Sequence, residues 1–288
     1  MAEPSEAQGV DLRGAPATLL ITLYAKALDY QSRHPILHDE RAAEIVELID
    51  HDFEQLTGFG DSIMMPLRAR QYDEWLREFL AAHADAVVLN LGCGLDTRVS
   101  RIAPPASVRW FDVDFPEVIE LRKTFYTDSS RYCMTAASLS DEGWLDPIPR
   151  DTPAAIVAEG VFEYMQVDEV RALLHRLTSH FPEGQVIFDC LSSFAVKSGR
   201  RELATKTGAA HSWAVDDIRE IDTLDPRLRR LDNLSLLRTR YRRELSWRYR
   251  LLLTAASLVP RFRDLHRLLR YEFPPSAGKP TGQAVSAA

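Results

Sequence analysis

The spacing of apolar residues divides the chain into a helical N-terminal part and an alternating α/β part. Apolar residues recur with the helical period from near Ala17 to Leu28, again over Arg41–Ile49, and over about 66–84. From Ala86 onward, short apolar runs alternate with helical stretches. We therefore predict a helical cap over residues 15–85 and a separate core over residues 86–273.

The alternating part predicts a mostly parallel sheet. Strands alternating with helices indicate βαβ units, and hence a doubly wound α/β fold with helices on both faces of the sheet. Ligands in such folds bind beyond the carboxyl ends of the strands. The predicted strands are Val87–Leu91, Val108–Phe111, Tyr132–Ala136, Ala155–Ala158 and Gln185–Asp189, and the predicted intervening helices are about 98–103, 115–127, 141–146 and 168–181.

The alternation stops after Leu191. Residues 193–222 have the pattern of helix and loop, which predicts an inserted lid. Two late strands are predicted at Arg229–Arg238 and His266–Phe273, with a helical stretch over 241–259 between them. The polar ends of the chain, residues 1–14 and 274–288, are predicted to be disordered tails.

Composition and charge restrict the class of protein. Hydrophobic residues make up 45% and charged residues 27% of the chain, and the net charge of −7 argues against a nucleic-acid partner. The basic run Arg238–Arg243 is interpreted as a solvated helix face or strand end. Cys93, Cys133 and Cys190 are too scattered for a disulfide framework or a metal site. The longest apolar run, Leu251–Val259, is too short to span a membrane, so we expect a soluble, cytoplasmic protein without a membrane partner.

The loop after the first strand is the first candidate ligand site. Gly92 and Gly94 allow a sharp turn and a close approach of the backbone to a ligand. The third position of a dinucleotide fingerprint holds Thr97, and Asp96 at the helix start would repel a pyrophosphate. These residues disfavour an NAD-dependent dehydrogenase. They are compatible with a sulfonium ligand that carries adenosine and an amino-acid group, such as S-adenosylmethionine.

Two carboxylates on the second strand lie about 20 residues past the glycines. At this spacing an acidic residue typically accepts hydrogen bonds from the ribose hydroxyls of a bound nucleotide. Strand alternation places Asp112 and Asp114 on the same face, so either could bind the ribose. The helix that opens after Asp114 favours this residue, with Asp112 supporting the loop. A helix N-cap is the alternative role for Asp114.

A third carboxylate, Glu159, follows the apolar fourth strand. Burying a carboxylate is costly unless it is paired or hydrogen-bonded, so Glu159 either serves a site or binds backbone groups locally. Its position beyond a strand end favours the first role. The segment lacks the Asn-Pro-Pro-Tyr-like motif expected of a nucleic-acid N-methyltransferase.

Three motifs in this order resemble the leucine carboxyl methyltransferase family, in particular its bacterial O-methyltransferases of polyketide biosynthesis. They are Asn90–Arg98, Asp112–Pro116 and Ala158–Met165, and the similarity runs from about Thr18 to Phe273. The resemblance implies a class I methyltransferase (Rossmann-like) fold with S-adenosylmethionine as methyl donor. It implies that Gly92 and its loop lie against the cofactor, Asp114 at the ribose and Glu159 near the methionine portion.

The resemblance also implies that Lys26 and Arg68 lie near the cofactor carboxylate, with surface charge on amphipathic helices as the alternative. The chain departs from the family after the third strand, where an acid followed by leucine usually lies near the adenine. Here Ser138 precedes Leu139. A serine can still accept a hydrogen bond from the adenine amine, although without charge.

The resulting hypothesis is O-methylation of a carboxyl or phenol group on a small molecule resembling a natural product of secondary metabolism. A carboxylate needs no general base near pH 7, whereas a phenol would benefit from a general base or from electrostatic stabilisation. His211 is the candidate base, with an ordinary surface histidine as the alternative. Phe194 and Trp213 either wall the acceptor pocket or pack the lid. The alternatives are a protein C-terminal carboxyl methyltransferase and a non-catalytic S-adenosylmethionine-binding protein.

Overall fold

A seven-stranded sheet forms the centre of the computed structural model, which describes residues 8–9, 18–55 and 61–275. The strands are β1 Gln8–Gly9, β2 Ile49–Asp50, β3 Val87–Leu91, β4 Arg109–Asp114, β5 Tyr132–Ala136, β6 Ala154–Ala158, β7 Gly184–Leu191, β8 Arg229–Ser235 and β9 His266–Phe273. The large sheet has the order β5-β4-β3-β6-β7-β9-β8. Within it β9 runs antiparallel to both of its neighbours, and the pairs from β5 to β7 are parallel.

Helices cover both faces of this sheet. They are α1 Thr18–Tyr30, α2 Glu40–Leu48, α3 Asp61–Ala82, α4 Arg98–Ile102, α5 Pro116–Arg122, α6 Val167–His180, α7 Ser193–Thr207, α8 Arg219–Asp222, α9 Trp247–Leu258 and α10 Pro260–Arg263. Among the residues described, no helix has the length and apolar character that a membrane crossing requires.

Side-chain alternation on the strands divides the core between the two faces. Every residue of β3 is buried; Val87 and Leu89 belong to the apolar cluster that contains α6, whereas Val88 belongs to the cluster that contains α3. A fully buried strand between two helical layers is what a parallel sheet requires. The α/β fold predicted from the pattern is therefore confirmed.

The strand order places a crevice at one edge of the sheet. The chain passes from β3 to β4 on one side and later returns to β6 on the other, so the connections diverge at the carboxyl end of β3. Asn90 of β3 lies in register with Asp112 and with Val157. The residues that follow these three strands are thereby brought to the same edge.

The N-terminal helices pack against this edge. Leu20 and Leu23 of α1 share a cluster with Ile45 of α2, with Leu95 of the loop after β3 and with Val118 of α5. The helical region before the sheet is therefore joined to the loop that was predicted to bind the ligand.

Several predicted boundaries are wrong. Residues 141–146 form turns rather than a helix, because the Asp141 carboxylate accepts a hydrogen bond from the Ser138 N–H and Asp141 N–H donates to the Ser138 carbonyl. Helix α3 begins at Asp61, ahead of the predicted start near residue 66, and Pro66 lies inside it. Strand β8 ends at Ser235, and 3-10 turns follow it, including Arg240–Glu244.

The predicted tails fall largely outside the described residues. Within the predicted 1–14 tail the structure describes Gln8–Gly9, which pair with Ile49–Asp50. Within the predicted 274–288 tail it describes residues 274 and 275.

Candidate active site

The loop between β3 and α4, residues 92–97, is called the glycine loop; it turns back toward the segment that follows β6. Gly92 and Gly94 have φ values of 57° and 49°, in the left-handed region that side chains disfavour. A Cβ atom at Gly92 would lie 2.5 Å from Cγ2 of Val161, and one at Gly94 would lie 3.0 Å from Cβ of Leu19. The two glycines are therefore required by the backbone and by the close approach of neighbouring segments.

Asp114 lies at the end of β4, beside this loop. Its Oδ2 accepts a hydrogen bond from Gly94 N–H at 2.7 Å, and its Oδ1 accepts one from Phe115 N–H at 2.8 Å. Burial raises the pKa of Asp114 to about 6, against the lowering effect of the two N–H donors. The N-cap residue of α5 is Phe115, so Asp114 is not the helix N-cap.

Asp112 lies two residues earlier and is fully buried. Its carboxylate accepts hydrogen bonds from Asn90, Trp110, Arg122 and Tyr132, at 2.6 to 3.0 Å. The Arg122 guanidinium in turn donates to the Gly94 carbonyl at 3.0 Å. Asp112 thus acts on the glycine loop through Arg122.

Charged side chains are concentrated beneath the loop and β6. We call this group the ion-pair cluster; its cations are Lys26, Arg68, Arg98 and Arg101, and its carboxylates are Asp39, Asp73, Asp96, Glu159 and Asp189. The side chains of these residues are at most 11% exposed. Buried charges of this kind are tolerated because each one is paired.

Glu159 lies at the centre of the ion-pair cluster. Its carboxylate accepts a hydrogen bond from Arg98 and lies 3.3 Å from Nη2 of Arg68 and 3.7 Å from Nζ of Lys26. Burial alone would raise the pKa of Glu159, but Lys26, Arg68 and Arg98 together hold it below its ordinary value. The Glu159 carboxylate is therefore ionised near pH 7.

Arg68 connects the cluster to the end of β7. Its Nη1 donates to Asp189 at 2.9 Å, and Asp189 also accepts hydrogen bonds from Gly160 N–H at 2.7 Å and Tyr72 at 3.2 Å. Nε2 of His266 lies 2.6 Å from the same carboxylate. Among the described residues, Nε of Arg68 is buried and has no hydrogen-bond partner.

Four members of the ion-pair cluster, Lys26, Arg68, Asp96 and Glu159, line one cavity of about 540 Å³. Most of the predicted site residues lie in its wall: Lys26, Arg68, Gly92, Gly94, Asp114, Ser138, Leu139, Glu159 and His211. Helix α7 of the inserted segment contributes Gly199, Glu202, Leu203 and Lys206 to the opposite side. The cavity thus extends from Asp114 and Ser138 past Glu159 to the inserted lid.

Phe194 and Trp213 are not among the residues that line this cavity, contrary to the prediction. Phe194 lies in the first turn of α7 and packs against Phe262, with the Arg261 guanidinium 3.5 Å from its ring centre. The cavity faces a later part of the helix. Trp213 packs on the core cluster that contains α6, and its N–H donates to the Glu163 carbonyl at 3.2 Å.

Sequence reasoning missed several titratable groups at the site and beside it. Glu163 and His266 line the cavity, and Asp73, Arg98, Arg101 and Asp189 belong to the ion-pair cluster. One signal was present in the pattern, because Asp189 interrupts an otherwise apolar run over residues 186–191 and must have a partner. That signal identifies a partnered charge but does not say which cation supplies the partner.

Comparisons with known proteins agree with this geometry. Residues 19–178 match the family model described as leucine carboxyl methyltransferase. The chain is 38% identical to a tetracenomycin polyketide synthesis O-methyltransferase of Streptomyces glaucescens, over 92% of this chain and 98% of the relative. It is 32% identical to an S-adenosyl-L-methionine-dependent methyltransferase of Gibberella zeae, over 79% of this chain and 84% of that protein.

A solved structure supports the fold. A methyltransferase candidate from Thermobifida fusca superposes with a TM-score of 0.58 at 15% identity, covering 91% of this chain and 96% of that one. The family match spans α1 through most of α6, which includes the glycine loop, Asp114 and Glu159. The chain therefore belongs to the leucine carboxyl methyltransferase family, and it is an S-adenosylmethionine-dependent O-methyltransferase.

Proposed function

We propose that the protein binds S-adenosylmethionine in this cavity, at the carboxyl ends of β3, β4 and β6. It then methylates a carboxyl or phenol oxygen of a small natural-product-like acceptor held under α7. The observation that carries this proposal is the continuity of the cavity from Asp114, through Glu159, to His211 and the lid. The relative from Streptomyces glaucescens acts in polyketide synthesis, which supports a polyketide-like acceptor for this chain.

The residues in the wall fit the chemical groups of the donor. Asp114 would accept hydrogen bonds from the ribose hydroxyls, and the backbone at Gly92 and Gly94 would lie against the donor. Ser138 and Leu139 would lie at the adenine. At the other end, Nε of buried Arg68 has no partner within the described part of the chain and is available to donate to the cofactor carboxylate, which fits the presence of an amino-acid group there.

Lys26 and Glu159 complete this end of the site. The Nζ of Lys26 donates to Asp96 at 2.7 Å and lies 3.7 Å from Glu159, so its charge is held at the edge of the cavity. We assign Lys26 to the donor carboxylate and the ionised Glu159 to the methionine ammonium side. Opposite charges at fixed positions orient the amino-acid group before the reaction.

When bound, S-adenosylmethionine supplies an electrophilic methyl group on a positively charged sulfur. The protein's task is to align the acceptor oxygen with that methyl group and to exclude water. Helix α7 would exclude water because its residues Gly199, Leu203 and Lys206 face the cavity. A carboxylate acceptor arrives ionised and needs no proton transfer.

A phenol acceptor would require a base, and His211 is placed for that role. Its ring lies 5.1 Å from the ring of Tyr164, and its Nδ1 has no hydrogen-bond partner among the described residues. Burial, aided by the nearby His266, lowers the pKa of His211 below its ordinary value. The imidazole is therefore neutral near pH 7 and able to accept a proton.

Two measurements test the proposal. Calorimetric titration with S-adenosylmethionine should show binding to the purified protein, and Glu159→Gln should weaken it at least tenfold. An extract of the source organism is then incubated with the protein and a deuterated-methyl donor. Mass spectrometry should show a labelled small molecule. Labelled protein C-termini without labelled small molecules would favour a protein acceptor, and tight donor binding without any transfer would favour a non-catalytic protein.

A further inference from the structure

Glu163 is a carboxyl group of the cavity wall that the donor site proposed above does not use. Glu163 lies in the 3-10 turn Phe162–Tyr164 that follows β6, and it is only 6% exposed. It lines the cavity, and its Oε2 has no hydrogen-bond partner among the described residues. A buried polar atom without a partner is costly, so an open oxygen that faces a cavity indicates a bound group.

The lid is attached to this same residue. The Glu163 carbonyl accepts hydrogen bonds from Ser212 N–H at 2.7 Å and from Trp213 N–H at 3.2 Å. These bonds hold His211, whose Nδ1 is also free, beside the turn that carries Glu163. Among the described residues, two polar atoms without a hydrogen-bond partner thus belong to the cavity wall, one on the turn after β6 and one on the inserted segment.

The charges around Glu163 come from three elements. Asp189 approaches from β7, Glu159 from the end of β6 and Arg68 from α3. Burial, with repulsion from Asp189 and Glu159, raises the pKa of Glu163 to about 8, against the lowering effect of Arg68. Tyr164, His211 and His266 also face this region. The raised pKa keeps Glu163 neutral near pH 7.

We propose that Glu163 carries its proton on Oε2 and donates a hydrogen bond to one oxygen of an acceptor carboxylate, leaving the second oxygen to face the donor methyl group. This inference rests on the proposed function, because it uses the acceptor end of that site. A carboxylate fits because it has two oxygens, whereas a phenolate has only one for both tasks. An ionised Glu163 would repel either anion.

The reaction balances without a proton transfer. An acceptor oxygen forms the new O–CH3 bond while the S–CH3 bond breaks, and the bonding pair stays on sulfur, whose positive charge is neutralised. The acceptor loses its negative charge and Glu163 keeps its proton. Glu163 is then a group that touches the acceptor and discriminates its charge.

Binding of a simple carboxylate tests the assignment without catalysis. The probe is 2-naphthoate, titrated into protein saturated with S-adenosylhomocysteine, with 2-naphthol as the matched phenol. If only protonated Glu163 accepts the anion, the naphthoate Kd should weaken about tenfold between pH 7 and pH 9. Glu163→Gln keeps a neutral donor, so its Kd should change less than twofold over this range. Glu142→Gln, an exposed carboxylate away from the cavity, should behave as the wild type.

A direct measurement of the proton complements the affinities. In protein labelled at the glutamate δ-carbon, the carbon-13 resonance that disappears in Glu163→Gln should titrate near pH 8, and naphthoate should move its midpoint upward. A midpoint near the ordinary glutamate value, a midpoint that naphthoate leaves unchanged or lowers, or absence of naphthoate binding would overturn the role of Glu163. Failure of S-adenosylhomocysteine to bind would instead overturn the proposed function and would leave the measured protonation of Glu163 intact.

Discussion

Lys26 of α1 lies 2.7 Å from the Oδ1 atom of Asp96 in the glycine loop, although the two residues are 70 positions apart in the chain. Both side chains are nearly buried, at 3% and 11% exposure. The N-terminal helices therefore contribute a charged side chain to the cavity wall and do more than cover it. Asp96, whose charge disfavours a pyrophosphate at this loop, holds the Lys26 ammonium in the cavity wall.

Replacing Lys26 with methionine tests this relationship. Lys26→Met should weaken S-adenosylmethionine binding at least tenfold, because a positive charge near the donor carboxylate is lost. Removing one partner of a buried pair can cost about 3–5 kcal/mol. Since Asp96 retains Arg98 at 2.6 Å, we expect a smaller loss, about 2 kcal/mol of unfolding free energy. Calorimetry and urea denaturation measure the two effects.

Lys123→Met is the matched control, because Lys123 is a half-exposed residue of an (i,i+3) pair with Glu120. It should leave both the donor affinity and the urea midpoint of unfolding unchanged, because an exposed ion pair contributes little to stability. A correctly folded Lys26→Met protein with wild-type donor affinity would exclude Lys26 from the donor site.

Asp114 should make donor binding depend on pH. Burial raises the pKa of Asp114 to about 6, so the carboxylate that we propose to bind the ribose becomes protonated as the pH falls through 6. The affinity for S-adenosylhomocysteine should therefore fall about tenfold from pH 7 to pH 5. Asp114→Asn should bind more weakly at pH 7 and show a nearly flat profile in calorimetry. An affinity that rises toward pH 5 in the wild type would contradict the assignment.

Asp112, two residues away on the same strand, should act mainly on stability. Asp112→Asn leaves Arg122 buried without its carboxylate partner, and both side chains are fully buried. The expected loss of unfolding free energy is about 3–5 kcal/mol, measured by urea denaturation. A loss below about 1 kcal/mol would show that Asp112 is not required to hold Arg122 and the glycine loop.

Gly92 should be intolerant of a side chain for two separable reasons. Gly92→Ala places a Cβ atom 2.5 Å from Cγ2 of Val161 and holds an alanine at a φ of 57°. We expect a loss of about 2–3 kcal/mol, of which the left-handed conformation accounts for about 1–2. Adding Val161→Ala should restore the part due to the clash, and thermal denaturation of the single and double variants measures it. Full restoration would show that backbone strain is negligible there.

The fold was predictable because the spacing of apolar residues within each segment predicts the element that the segment forms. The apolar run Val87–Leu91 predicts a buried strand and the periodic run over 168–181 predicts a helix. The structure has them at Val87–Leu91 and Val167–His180. The error at 141–146 has a local cause as well. A side chain of Asp141 closes a turn with Ser138, and such a bond competes with helix in a way that apolar periodicity does not record.

Residues of the candidate site were predictable where they directly follow a strand. Ion pairs between elements that are distant in the chain were not predictable. Asp114 and Glu159 follow apolar strands, and topology brings strand ends together. The contacts of Arg68 with Glu159 and Asp189 cross from a helix to two strand ends, and no spacing along the chain encodes them. The prediction that Phe194 walls the acceptor pocket failed for a similar reason, since its neighbours Phe262 and Arg261 come from α10.

His211 should distinguish the two kinds of acceptor. Burial and His266 lower its pKa, so the base form is present at pH 7 and is lost only as the pH falls through that lowered value. A general base contributes about 100-fold or more to proton removal. His211→Asn should therefore slow methyl transfer to 2-naphthol by about 100-fold while changing transfer to 2-naphthoate less than threefold, because the carboxylate carries no proton to remove. Single-turnover assays with saturating donor measure both rates. An equal loss for both acceptors would show that His211 positions the acceptor and is not its base, and unchanged rates for both would remove it from the reaction.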